Sequence, residues 1–136
     1  MALSKRLFIA FVLATGVLFV AVASHADDKT DAKMKKDAVM TLTGEIVDTG
    51  CYMGHGAKGA DHKSCALKCI AGGMPMGLLV DDTVYLLTMS HEDADPYNTA
   101  KEMAASMVEI TGPVHERGGL KSIEVTAIKE LPAKKS

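Results

Sequence analysis

Apolar and polar positions alternate through most of the chain beyond residue 38. Over residues 39–47, Met40, Leu42, Gly44 and Ile46 share one face and Thr41, Thr43, Glu45 and Val47 the other, a period of two that predicts a β-strand. Residues 77–80 and 83–89 predict two more, joined by Asp81-Asp82 as a tight turn. In the second of these, Val84/Leu86 and Tyr85/Leu87 occupy opposite faces, the pattern of a strand buried on both sides. Residues 107–115 alternate Val108, Ile110 and Val114 with polar residues. Glu116-Arg117-Gly118-Gly119 then turns the chain into a fifth strand at 120–128, with Ile123, Val125 and Ala127 inward.

Two segments break this alternation. Residues 62–71 predict a helix with Asp61 as N-cap and Gly72-Gly73, then Pro75, as its stop. Asp95-Pro96 opens a second, as cap and first-turn proline, running from Tyr97 to Ala105 with Ala100, Met103, Ala104 and Met107 on one side. The fold class is mainly β. Leaving out the first helix, the order strand-strand-strand-helix-strand-strand is that of the five-stranded oligonucleotide/oligosaccharide-binding (OB) barrel, with a helix inserted between β1 and β2 and another between β3 and β4. Gly44 and Gly112 mark the bends or bulges a small barrel needs to close. The competing architecture is an open α+β sheet.

The N-terminus follows a different logic. Lys5-Arg6 precede an apolar run over 7–23, which ends in Ser24-His25-Ala26 ahead of Asp27-Asp28, the order of a cleavable secretory signal at 1–26. The competing reading is an uncleaved anchor, since about 17 apolar residues lie at the lower limit for spanning a bilayer. Residues 27–38 are charged and nearly devoid of apolar side chains, which predicts a flexible linker. A single domain at 39–131 and a short tail at 132–136 complete the organisation. The expected location is periplasmic or secreted, with no membrane contact after cleavage.

Removing 26 residues leaves 110, with 13 basic against 17 acidic side chains and a formal charge of −4, which argues against a nucleic-acid partner. With three Tyr, three Phe and no Trp in the whole chain, a stacking surface for sugars is poorly supplied. No nucleophile elbow, phosphate-cradling loop, HExxH or CxxCH is present, so the chain reads as a binding protein rather than an enzyme.

All three cysteines and two of the histidines fall between Cys51 and Cys69. At about 100° per residue, His62, Cys65 and Cys69 project within a helical stripe about 60° wide. Cys51 leaves the end of the first strand, and the glycine-rich loop 54–59 gives the backbone freedom to fold back over that stripe. A Cys₃His set of Cys51, His62, Cys65 and Cys69 suits zinc, and the same soft donors suit Cu(I). His55 and Met53 are additional candidate ligands, and Met74 and Met76 stand nearby in sequence. Three alternatives stay open. Cys51 pairs with Cys65 or Cys69 as a disulfide stapling an OB-like binding module, Cys65 and Cys69 cycle in thiol–disulfide exchange, or all three are buried small hydrophobes. The implied partners are a metal ion and another exported protein.

Thr-Gly-Glu-Ile-Val-Asp-Thr-Gly-Cys51-Tyr, Gly-Ala-Lys-Gly, His62-x₂-Cys65-x₃-Cys69, Gly-Met-Pro-Met-Gly-Leu-Leu and Val-Tyr-Leu-Leu together resemble a group of small exported bacterial proteins with no assigned activity. The resemblance spans nearly the whole domain. It implies that the Cys/His pattern belongs to a recurring module, and it brings no ligand or activity with it.

Overall fold

Every alternating segment becomes a strand. The computed structural model describes residues 38–132. In order they form β1 (Val39–Asp48), α1 (Thr49–His55), a 3-10 turn (Ala60–His62), α2 (Lys63–Ala71), β2 (Met76–Val80), β3 (Thr83–Met89), α3 (Asp95–Glu102), β4 (Met107–Arg117), β5 (Leu120–Val125) and β6 (Ala127–Glu130). The predicted signal at 1–26, nearly all of the 27–38 linker and most of the 132–136 tail lie outside the described residues.

β1 pairs antiparallel with β2 and β4, β2 with β3, and β4 with β5. A parallel pairing of β3 with β5, from Leu86↔Ser122 to Met89↔Val125, closes the ring β1-β2-β3-β5-β4. This is the OB-like barrel, not the open sheet. Its interior is filled by Ile46, Leu78, Leu87, Val108, Ile110, Ile123 and Val125, with Ala66 and Ile70 of α2 and Ala100 of α3 packed on. Each fully buried aliphatic side chain of this size contributes about 1.5–3 kcal/mol. Gly44 and Gly112 mark close backbone approaches, because a Cβ at either would collide with a carbonyl oxygen, of Leu79 and Glu124 respectively.

The structure corrects several boundaries. The single strand expected at 120–128 is two, since the pairing with β4 advances by one residue between β5 (Val114↔Ile123) and β6 (Thr111↔Ala127). The extra residue forms a bulge opposite Gly112, where Thr126 donates both its N–H and its hydroxyl to the Thr111 carbonyl, at 3.0 and 2.8 Å. A one-residue shift exchanges the faces, so Ala127, expected inward, is exposed and Ile128 packs on the core instead. β3 is only half-buried apart from buried Leu87 and exposed Met89. Asp61 does not cap α2; His62 occupies that position without a side-chain bond, and Lys63 N–H is satisfied by the Ala60 carbonyl of the 3-10 turn. Asp95 is likewise inside α3, after Ala94 as N-cap. α3 stops at Glu102 because β1 captures the following backbone, with Ala105 N–H donating to the Ile46 carbonyl at 2.7 Å and Ile46 N–H to Ser106 at 3.1 Å.

Candidate metal centre

Cys51 does not sit at a strand end or in a free loop, as the sequence suggested, but on α1. The short helix is held at its start by Asp48, whose Oδ1 accepts the Cys51 N–H at 2.8 Å. It is closed by Gly56 in the left-handed conformation (φ 67°), whose N–H donates to the Tyr52 carbonyl at 2.8 Å. Gly50 lets the chain pass under Met74, whose side chain lies where a Cβ would stand. Beyond α1, Gly59 (φ 79°) donates its N–H to the Glu45 carboxylate, tying the connecting loop back to β1.

α2 turns Ala66 and Ile70 into the core. Cys65 and Cys69, one turn apart, ride beside that stripe at the rim, Cys65 exposed and Cys69 half-buried. The result brings all three cysteines together, with the Cys51, Cys65 and Cys69 sulfurs within 4.8 Å of one another. A centre with Zn–S bonds of about 2.3 Å holds its sulfurs about 3.8 Å apart, inside that limit.

His62 does not join all three sulfurs within the same distance. It groups instead with Cys51 and Asp48, its Nε2 standing 2.8 Å from Asp48 Oδ2. The Asp48 side chain is fully buried and that of His62 17% exposed. Of the two additional candidates, Met53 is 75% exposed, and His55, at the end of α1, is exposed and joins neither group. Met76 is buried in the barrel core.

Asp48 is the residue the sequence reading missed. Its signal was the N-cap spacing Asp48-x-x-Cys51 immediately after a buried apolar pair, Ile46-Val47. Burial alone pushes its carboxyl up, but the Cys51 N–H, the His62 ring and the Cys51 thiol outweigh that and hold it below the ordinary carboxylate value. The same hydrogen bond to Asp48, with burial and the carboxylate charge behind it, pushes the Cys51 thiol up to about 12. Burial, together with the neighbouring Cys65 thiol, raises Cys69 as well. Without a cation beside them, the Cys51 and Cys69 thiols hold their protons through neutral pH; a bound ion displaces those protons.

Comparison with protein-family models, curated proteins and solved structures gave no match. The site therefore stands on its own chemistry. Among the described residues no helix is long and apolar enough to cross a membrane. A shallow groove of about 420 Å³ lined by Leu86, Thr88, His115, Arg117, Leu120 and Ser122 includes none of the cysteine-site residues.

Proposed function

We propose that this chain is an exported metal-binding module that holds a thiophilic ion, zinc or copper(I), through Cys51, Cys65 and Cys69, with His62 as the fourth donor. The observation that carries the reading is the convergence of three sulfurs from two separate helices within 4.8 Å. Soft thiolate donors select zinc and Cu(I) over the hard cations. Export is supported by the order of Lys5-Arg6, the apolar run and Ser24-His25-Ala26. In an oxidising compartment three clustered thiols need protection, and ligation provides it.

The thiol–disulfide reading fares worse. Such chemistry needs a stabilised thiolate, whereas Cys51 and Cys69 are both pushed the other way, and Cys69 lies toward the C-terminal end of α2, where the helix dipole disfavours negative charge. A transfer role would add a second exported protein that donates or accepts the ion.

The test is the full chain expressed with its leader and purified from the periplasm, then examined by native mass spectrometry and elemental analysis. The expected result is a chain shortened by the 26-residue leader, carrying one zinc or copper ion and three reduced cysteines. A mass two protons low with no metal would replace this reading with the disulfide-stapled module.

A further inference from the structure

We propose that Asp48 is the positioning residue of this centre, fixing His62 with its proton on Nε2 so that Nδ1 is the nitrogen offered to the metal. The inference rests on the metal-binding reading above. An ionised carboxylate can only accept hydrogen bonds. Its Oδ1 accepts the Cys51 N–H, so the start of α1, and with it the Cys51 sulfur, is placed by Asp48. Its Oδ2 faces His62 Nε2 at 2.8 Å, which requires that nitrogen to donate and leaves the lone pair of the neutral ring on Nδ1. A ligating imidazole held by a carboxylate through its other nitrogen is fixed in tautomer and orientation and is a stronger donor. The Asp48 side chain is fully buried, so water does not compete for either oxygen. One side chain thus sets two of the four proposed ligands.

Asp48→Asn separates this role from a merely structural one. The asparagine oxygen can keep the Cys51 N–H bond, but its amide then presents a donor to Nε2. The ring must accept there and carry its proton on Nδ1, the nitrogen the metal needs. Zn²⁺ affinity is measured by competition with a chromophoric chelator on the reduced wild type, D48N, H62A and the D48N/H62A double variant. D48N is expected to lose about 10- to 100-fold, and the double variant to bind no worse than H62A alone. Affinity within about twofold of wild type in D48N, or losses that multiply in the double variant, would overturn the proposal while leaving zinc binding by the cysteines intact. A wild type that binds no Zn²⁺, or binds it equally well as Cys51→Ser, would overturn the metal reading and this inference together. A measurement on the unaltered protein removes any dependence on variant folding: long-range ¹H–¹⁵N NMR of the zinc-loaded wild type is expected to find the His62 proton on Nε2. A proton on Nδ1 refutes the assignment.

Discussion

Asp48 also links the centre to pH. Its folded value lies below the unfolded 3.8, because the Cys51 N–H, His62 and the Cys51 thiol favour the charged form more than burial opposes it. Stability from this group is therefore complete above the unfolded value and is lost as pH falls through the folded one. Asp48→Ala removes the α1 cap and leaves His62 without its acceptor. The expected cost at pH 7 is about 1–3 kcal/mol by urea denaturation. The gap to wild type is expected to hold down to about pH 4 and to close below it. A gap unchanged at pH 2 would contradict the charge-based account. Nothing local marked Asp48 as more than a cap, since its partner His62 is brought to it only by the loop and the 3-10 turn.

The insertion between β1 and β2 was legible in part. α2 announced itself through its Gly72-Gly73 stop, and the gathering of cysteines followed from their spacing on it. α1 did not, because a seven-residue helix containing Gly50 and Gly54 has poor intrinsic propensity; it forms because Asp48 caps it and Gly56 closes it. The β5/β6 break was hidden for the opposite reason. Ile123, Val125 and Ala127 alternate without interruption, and the bulge shows only in the register of pairing with β4, where Gly112, lacking a Cβ, permits the close approach of the Glu124 carbonyl. Glycine substitutions separate these cases. Gly112→Ala places a methyl group against backbone that cannot move aside, and a loss of at least about 2 kcal/mol is expected by chemical denaturation. Gly54→Ala meets nothing within 4 Å and is expected to be neutral or to stabilise by up to about 1 kcal/mol.

The barrel core of Ile46, Leu78, Val108, Ile110, Ile123 and Val125 contains no cysteine, and its ring of pairings is complete without α1. Metal removal is therefore expected to lower stability without unfolding the molecule. Zinc at about 100 times its Kd adds about 2.7 kcal/mol, worth roughly 10–20 °C in Tm for a domain of this size. Calorimetry with and without a chelator measures that difference, and far-UV circular dichroism at 20 °C should keep its β signature in both. The architecture itself was readable because strand order, turn residues and inserted helices all agreed. The parallel β3–β5 seam is written in neither strand, and it enters only with the structure.

That seam has a kinetic consequence. Closing the ring joins Leu86 to Ser122, and Val39 must find Pro113, whereas the whole sulfur cluster lies within residues 48–69. Short loops close in about 10–100 ns, while barrels built on distant pairings take milliseconds to seconds. An ion present during refolding therefore meets its thiols long before the barrel exists. In stopped-flow refolding with Co²⁺, thiolate charge-transfer absorption is expected to rise ahead of the β-sheet signal, making the metal clip an early event in folding rather than the last piece added.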